Sequence, residues 1–324
     1  MLHSSSDASP AADRQRWAER RRSLETGRYR VSPDGRRGWR RKRAFDLLVN
    51  LFGKLLQPTP FHALGRRNAL DLRLVELELA FPHLPAAFDG YRILHLSDTH
   101  LDHFPELASV ARGLLAGVEV DMLALTGDVH GNHRAPIARS TGLLAEALDG
   151  VRVRGPRLAV LGNHDPAAMA EALEGLGFEV LLNRSLVLEH AGQRLHLTGL
   201  DDVNCFYTEA ALAALAAQPD HDAFRIALVH SAEMADHAAA AGCALYLCGH
   251  THGGQICLPG GRPLVTQLTR CRQAGRGLWR WGRMTGYTSC GLGVSGPPLR
   301  FNCRGEAAVI TLHRRPSPLP GGGA

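Results

Sequence analysis

The sequence predicts an α/β protein, and two observations support this prediction. From Tyr91 onward, short apolar runs alternate with segments of helical periodicity, as in proteins built on a parallel or mixed sheet. From Phe178 the candidate strands follow one another more closely, which predicts that a second sheet begins there. The chain has 324 residues, 45% hydrophobic and 21% charged, which is typical of a globular protein with a sizeable core.

Individual elements follow from local patterns. Residues 72–80 alternate with period two and predict a half-buried strand. Helices are predicted where apolar residues recur at helical spacing, three of them with a proline near the start, at residues 105–115, 136–148, 166–176, 208–217 and 231–241. Further strands are predicted at residues 178–182, 186–189, 194–199, 287–291 and 307–312.

Five apolar runs each end in Asp, Asn or His. The polar residues that follow them are Asp98, His100, Asp128, Asn163, His164, His230, His250 and His252. Any one of them has an ordinary explanation, as a hydrogen-bonded histidine or as a turn residue after glycine. Because the active sites of open α/β sheets lie beyond the carboxyl ends of the strands, the whole series predicts one convergent site.

The donor types indicate the chemistry of that site. Carboxylate, amide and imidazole ligands without thiolate suit Mn, Fe or Zn better than Ca or a zinc-finger site. The set exceeds the needs of one ion, so we expect two divalent metal ions that share one carboxylate, about 3.5–4 Å apart. Such a pair lowers the pKa of a bridging water and neutralises phosphoryl oxygens in the transition state.

The motifs resemble those of the calcineurin-like metallophosphoesterases over roughly residues 91–312. They are Asp98-x-His100, Gly127-Asp128, residues 162–165, His230 and residues 249–252. The resemblance implies a four-layer αββα sandwich, with two mixed sheets flanked by helices.

The same resemblance implies a role for each residue. Asp98, His100 and His252 are expected to hold the first metal. Asn163, His230 and His250 are expected to hold the second, and Asp128 is expected to bridge the two. His164 is expected to be the catalytic residue that protonates the leaving oxygen. Manganese is the expected metal, with iron or zinc as alternatives.

A finer resemblance concerns the substrate. Residues 249–255, 291–293 and 300–303 are similar to a branch of bacterial membrane-associated phosphohydrolases that includes UDP-2,3-diacylglucosamine diphosphatases. It implies cleavage of a phosphodiester or pyrophosphate bond in a membrane-derived or nucleotide-linked lipid. Two alternatives stay open, a nuclease or generic phosphodiesterase on the same fold, and a non-catalytic metal-binding scaffold.

One position departs from the family pattern. Many relatives have Gly-Asp-x-x-Asp, in which the last Asp orients the catalytic histidine, whereas this chain has Gly131 there. His130, His133 or Asp165 is expected to substitute, unless His164 acts less efficiently.

Arginine and tryptophan are interleaved in residues 270–283. We expect Arg270, Arg272, Trp279 and Trp281 to bind substrate at the mouth of the site, through bidentate phosphate contacts and stacking. The alternative is a surface loop pinned by its two aromatic residues.

The basic character belongs to the N-terminal part. Residues 1–43 contain 13 Lys/Arg and 5 Asp/Glu (net +8), whereas the remainder contains 24 and 26 (net −2). We expect residues 1–60 to be a basic, partly disordered segment with an amphipathic helix, residues 61–315 to be the metallophosphoesterase domain, and residues 316–324 to be a flexible tail.

Residues 36–57 join a basic cluster to that helix, whose apolar face carries Leu48 and Phe52. This pattern suits an anionic membrane surface, or a helix packed on the protein's own body. Binding of nucleic acid is not expected, because the body is slightly acidic.

Three features of the sequence predict where the protein is located. No apolar run approaches the roughly 20 residues needed to span a bilayer, and residues 1–12 do not resemble a secretory signal. The seven cysteines are an odd number and form no Cys-x-x-Cys, which favours reduced thiols. The expected location is the cytoplasm, with a peripheral position on the inner face of the membrane.

Overall fold

The computed structural model describes residues 10–26, 29–38, 40–132, 135–217 and 223–315. Within these ranges, the side chains of residues 10–11, 29–30, 36–38, 40–46 and 50 are outside the description. Three sequence predictions therefore lie outside the described residues: the role of His133, the side chains of most of the basic cluster, and the tail at 316–324.

Helices and strands alternate along the described chain. The α-helices are α1 (Pro10–Thr26), α2 (Arg40–Leu56), α3 (Pro60–Leu70), α4 (Glu106–Leu115), α5 (Ile137–Ala147), α6 (Met169–Glu174), α7 (Glu209–Ala216) and α8 (Ala235–Ala240). The strands are β1 (Tyr29–Ser32), β2 (Gly35–Gly38), β3 (Arg73–Phe81), β4 (Tyr91–Leu96), β5 (Glu119–Val120), β6 (Met122–Leu125), β7 (Arg152–Val153), β8 (Arg157–Ala159), β9 (Glu179–Val180), β10 (Arg184–His190), β11 (Gln193–Gly199), β12 (Phe224–Leu228), β13 (Leu245–Cys248), β14 (Gly277–Trp281), β15 (Met284–Thr288) and β16 (Glu306–Arg314).

Two six-stranded mixed sheets form the body. The first has the order β3-β16-β4-β6-β8-β9, in which only the pairing of β16 with β4 is antiparallel. The second has the order β10-β11-β12-β13-β15-β14, with a parallel centre and an antiparallel strand at each edge. The pairs β1–β2 and β5–β7 form small separate sheets.

Alternation along the strands creates three apolar layers. Leu94 packs with α4 and α5 on the outer face of the first sheet, whereas its neighbour Ile93 packs between the two sheets. Tyr246 packs with α7 and α8 on the outer face of the second sheet. The order is therefore helix, sheet, sheet, helix, which confirms the predicted four-layer αββα sandwich.

The structure differs from the sequence predictions in several places. Strand β9 belongs to the first sheet, so the second sheet begins at Arg184 and not at Phe178. Residues 277–281 form edge strand β14, which the Arg/Trp pattern had not predicted. Residues 10–26, within the segment expected to be partly disordered, form a helix, and Trp17 and the buried Arg21 anchor it to the body.

Candidate metal centre

Five strand ends carry the polar side chains to one edge of the sandwich. Strands β4, β6 and β8 of the first sheet end just before Asp98, Asp128 and Asn163. Strands β12 and β13 of the second sheet end just before His230 and His250. All five side chains are buried, so the two sheets meet here in a polar cluster and not in an apolar core.

Asp128 occupies the middle of this cluster. Its Oδ2 atom lies 3.4 Å from Nε2 of His100 and 3.3 Å from Nε2 of His230. One carboxylate oxygen therefore faces one imidazole from each sheet, which is the geometry expected of a ligand shared by two cations.

The other donors form one group on each side of Asp128. On the first side Asp98, His100 and His252 bring their donor atoms within 4.8 Å of one another. Asp128, His230 and His250 do the same on the second side.

Asn163 completes the second group, since its Oδ1 lies 3.2 Å from Nε2 of His230. The structure thus brings together all seven residues predicted to be ligands and divides them as expected. That they bind metal stays a prediction.

The backbone of the cluster is strained. Five of the seven predicted ligands have a positive φ, although none is glycine: Asp98 (49°), His100 (36°), Asp128 (55°), His250 (71°) and His252 (50°). Such conformations are uncommon for residues with a Cβ and concentrate at functional sites, where the surrounding structure enforces them. Here they turn successive side chains of each motif loop toward one point.

Two motif glycines make room for the carboxylates. A Cβ on Gly162 would overlap Oδ1 of Asp128, and a Cβ on Gly249 would overlap Oδ2 of Asp98. The main-chain N–H of His250 donates to the same oxygen of Asp98, at 2.9 Å. Glycine therefore precedes Asn163 and His250, because the backbone at both positions must approach a carboxylate closely.

Electrostatics keep the central carboxylate ionised. Burial alone raises the pKa of Asp128, but the charges of His230 and His164 and a hydrogen bond from His100 hold this pKa well below its usual range. Burial lowers the pKa of His230, yet the Asp128 carboxylate opposes it and raises this pKa to about 10. An ionised Asp128 is in the form that metal binding requires.

The donor set fits two divalent cations. The Oδ1 atom of Asp98 is completely buried and makes no hydrogen bond, and it faces Nε2 of His252 at 3.5 Å. A buried polar atom without a partner is costly, and an adjacent cation is one way of satisfying it. Oxygen and imidazole donors without thiolate suit manganese, iron or zinc.

His164 borders the cluster. Its main-chain N–H donates to Oδ1 of Asp128, at 2.8 Å, and its ring meets the ring of His100 edge-on, with centroids 5.2 Å apart. The ring is therefore beside the predicted metals. Its catalytic role stays a prediction.

Asp165 was one of the residues expected to orient His164, but its carboxylate faces main-chain N–H groups. Its carboxylate accepts hydrogen bonds from the main-chain N–H groups of Asp128, Val129, His130 and Gly162, at 2.7–2.9 Å. It therefore ties the two motif loops together and does not orient the ring of His164. The Nδ1 atom of His130 is hydrogen-bonded to Ser140 Oγ, at 2.9 Å.

The predicted substrate-binding segment does not converge on the cluster as a unit. Trp279 is only 8% exposed, packs in the outer core of the second sheet and donates its indole N–H to Thr288 Oγ1, so it is a core residue and not a substrate contact. Trp281 packs against the same core. Arg270 is paired with Asp236, while Arg272 is exposed.

Two buried arginines were missed by sequence reasoning. Arg300 is fully buried and its guanidinium donates to four main-chain carbonyls, those of His252, Cys290, Gly291 and Gly293. Arg21 makes comparable contacts with the loop at residues 162–165. Arg21 lies in a run of three arginines and Arg300 in a loop, and no local pattern distinguishes either from a surface residue, so the burial of neither was predicted.

Comparison with known proteins agrees with this geometry. Residues 91–254 match the family model for calcineurin-like phosphoesterase. The chain is 31% identical over 246 residues to the uncharacterized metallophosphoesterase YkuE of Bacillus subtilis, with 71% of this chain and 81% of that protein covered. It is 28% identical to Phosphodiesterase YaeI of Escherichia coli (74% and 87% covered) and 28% identical to the uncharacterized metallophosphoesterase YkoQ of B. subtilis (83% and 99% covered).

The chain belongs to the calcineurin-like phosphoesterase family. It is a metallophosphoesterase, a hydrolase that acts on phosphoric esters and uses divalent metal ions.

Proposed function

We propose that this metallophosphoesterase cleaves a phosphodiester or pyrophosphate bond in a lipid that carries a nucleotide or a similar phosphorylated head group, at an anionic membrane surface. UDP-2,3-diacylglucosamine is the candidate substrate. The position of Asp128 between His100 and His230 carries the hydrolytic part of the proposal. An apolar cavity beside His252 supports the lipid part.

The residues divide the chemistry among them. The two divalent cations, when bound, would supply positive charge to the phosphoryl oxygens and would lower the pKa of water, so that hydroxide is available to attack phosphorus. Asp98, Asp128 and Asn163 supply the oxygen ligands. His164, beside the cluster, donates a proton to the departing oxygen as the bond to phosphorus breaks.

The cavity beside His252 suits an acyl chain. It has a volume of about 330 Å³ and its walls are mainly apolar, with contributions from Leu48, Phe52, Ile256, Leu264, Val265 and His252. Its polar end therefore adjoins the predicted first metal, while its apolar walls come from helix α2 and the loop after His252. A lipid lying here would place its phosphate near the cluster and its chain among the leucines.

Helix α2 exposes its apolar face. Leu47, Leu51 and Leu55 are 70%, 51% and 65% exposed, and Phe61 of the next helix is 58% exposed. The helix instead faces the body through the buried Gly53, where a Cβ would lie 3.0 Å from Pro297. An exposed apolar stripe of this size is typical of a surface that enters a membrane interface.

The charge of the chain favours an anionic partner for this face. The net charge of +8 in residues 1–43 immediately precedes the exposed stripe. Cations next to an apolar helix face bind anionic head groups while the apolar groups enter the acyl region. Among the described residues, no helix combines the length and apolarity needed to cross a bilayer.

A substrate panel tests the lipid part. The purified protein with Mn, Fe or Zn is assayed on UDP-2,3-diacylglucosamine, its deacylated head group, bis-p-nitrophenyl phosphate and single-stranded DNA. We expect kcat/KM to be at least about tenfold higher for the acylated substrate than for the deacylated one. Leu264→Asp, in the cavity, should remove this preference, whereas Leu258→Asp, exposed but outside the cavity lining, should retain it.

The outcomes of the panel are separable. Equal rates on acylated and deacylated substrates would contradict the lipid part, and efficient DNA cleavage would replace it with nuclease activity. Absence of hydrolysis of every compound with all three metals would contradict the hydrolytic part.

Vesicle flotation tests the membrane part. The double variant Leu51→Glu/Leu55→Glu changes exposed residues that do not line the cavity. We expect the wild-type protein to float with phosphatidylglycerol vesicles, and less so in high salt. The double variant should stay in solution. Leu278→Glu, at an exposed leucine on edge strand β14, is the matched control and should float. If the Leu51→Glu/Leu55→Glu variant floats as well as the Leu278→Glu control, the membrane part of the proposal is contradicted.

A further inference from the structure

We propose that Arg21 is a positioning residue of the active site, supplied by N-terminal helix α1, and that it holds the loop that carries Asn163 and His164. The inference rests on the proposed function for the roles of those two residues. Helix α1 lies outside the segment that matches the family model, which begins at residue 91.

The contacts of Arg21 are concentrated on one loop. Its side chain is 1% exposed, and one terminal nitrogen of the guanidinium donates to the carbonyl oxygens of Gly162 and Asp165, at 2.7 Å each. These carbonyls flank Asn163 and His164. The guanidinium thus links the carbonyl before Asn163 to the carbonyl after His164, and it holds the backbone between them in one conformation.

The guanidinium is itself held in place. Its other terminal nitrogen donates to the buried carboxylate of Asp201, whose second oxygen accepts the indole N–H of Trp17 at 2.7 Å. The guanidinium also stacks over the ring of Phe206, with its central carbon 4.1 Å from the ring centroid.

Neighbouring residues of α1 reinforce the docking. Glu25 accepts the main-chain N–H of Ala167, just beyond the loop, at 2.7 Å, and Arg14 is paired with Glu174 at 2.9 Å. Helix α1 therefore contacts the loop and the segment that follows it.

Arg21 and Arg300 are both buried arginines that donate hydrogen bonds to the carbonyls of loops beside the cluster. Arg300 donates to carbonyls of the loops around His252, on the first-metal side of the cluster. Arg21 does so for the loop of Asn163, on the second-metal side. The second metal position and the proton donor thus depend on a side chain from outside the matched segment.

The experiment compares Arg21→Ala with Arg22→Ala, an exposed neighbour on the same helix, and with Asn163→Ala. Each full-length variant is titrated with Mn by calorimetry and assayed on bis-p-nitrophenyl phosphate. We expect Arg21→Ala to bind one Mn normally and the other at least tenfold more weakly, as Asn163→Ala does. Its kcat should fall at least tenfold with less than a threefold change in KM, and millimolar guanidinium should restore part of both losses. Arg22→Ala should behave as wild type.

Two further variants keep the test decisive if Arg21→Ala does not fold. Arg21→Lys retains the charge opposite Asp201 but cannot bridge both carbonyls, and we expect the same metal defect in a weaker form. Arg21→Met/Asp201→Asn removes both buried charges, and it should regain thermal stability without regaining the second Mn.

Wild-type binding of two Mn by Arg21→Ala or Arg21→Lys, or full recovery of metal binding in the double variant, would overturn the inference. If the wild-type protein hydrolyses no phosphodiester, the proposed function fails, but the Mn titration still decides the role of Arg21.

Discussion

The Oδ2 atom of Asp128 lies 3.3 Å from Nε2 of His230, although the two residues follow strands of different sheets. The first sheet supplies the carboxylate and the second supplies the imidazole, so the site exists only where the two sheets are packed together. A metal pair at this point would link the sheets and would be sensitive to their separation.

Replacing the central carboxylate tests its shared role. Asp128→Asn keeps the shape of the side chain but removes the charge, so we expect loss of bound metal and a fall in kcat/KM of at least about a hundredfold. Metal analysis and phosphodiesterase assays measure the two effects. Asp149→Asn, at an exposed position after helix α5, is the control. Two bound metals and unchanged turnover in Asp128→Asn would contradict a bridging role.

Gly162 allows a test of backbone approach. Because its added Cβ would overlap Asp128, Gly162→Ala should lower the free energy of unfolding by about 1–3 kcal/mol and should reduce activity. Gly142→Ala, inside helix α5 with open space around the added atom, should instead stabilise the protein by about 0.5–1 kcal/mol. Urea denaturation measures both changes, and a neutral Gly162→Ala would argue against the close approach.

The proton donor is tested through the leaving group. We expect His164→Ala to lower kcat by about 10²–10⁴-fold for a diester with an alkyl alcohol as leaving group, because alkoxide departs poorly without a proton. For p-nitrophenolate, a good leaving group, the loss should be much smaller. His190→Ala, an exposed histidine on β10, should change neither rate. Equal losses for the two leaving groups would assign His164 to phosphate binding alone.

Because His95 is buried, we expect the free energy of unfolding to decrease at acid pH. Its ring is buried between the sheets, and burial lowers its pKa to about 4 from the ordinary 6.5. The unfolded chain therefore binds more protons between these values, and stability that is fully present above pH 6.5 is lost as the pH falls toward 4. The loss is about 3 kcal/mol for this group.

His95→Gln removes that titration, and its Thr126 partner lies 2.9 Å from the native ring nitrogen. We expect the free energy of unfolding of this variant to fall less steeply from pH 6.5 to 4 than that of the wild type, as measured by urea denaturation at several pH values. Parallel curves would show that His95 does not contribute.

Much of the site was predictable because its residues follow apolar runs. When a strand ends in Asp-x-His or Gly-Asp, the local sequence predicts that these polar side chains lie at the carboxyl edge of a sheet. The pattern of Asp98, Asp128, Asn163 and His250 thus predicted one cluster, and the structure brings them together. The four-layer arrangement came from resemblance, and the three apolar layers confirm it.

The Arg/Trp segment shows that one local sequence pattern can indicate two different structures. The alternation of arginine and tryptophan at residues 277–281 is the pattern of an edge strand as well as that of a binding loop. Burial of Trp279 against Tyr246 and Gly286 decides between them, and burial depends on strands β13 and β15.

The sequence by itself determined the donor types, their order along the chain and the α/β class, because each depends on residues that are neighbours in the chain. Only the tertiary structure decided that Arg21 contacts Gly162, in the loop of Asn163, although the two residues are 141 positions apart in the sequence. The same is true of the outward orientation of Leu47, Leu51 and Leu55 on α2. Such long-range contacts depend on how whole elements pack, and no local periodicity encodes which surface a helix will cover.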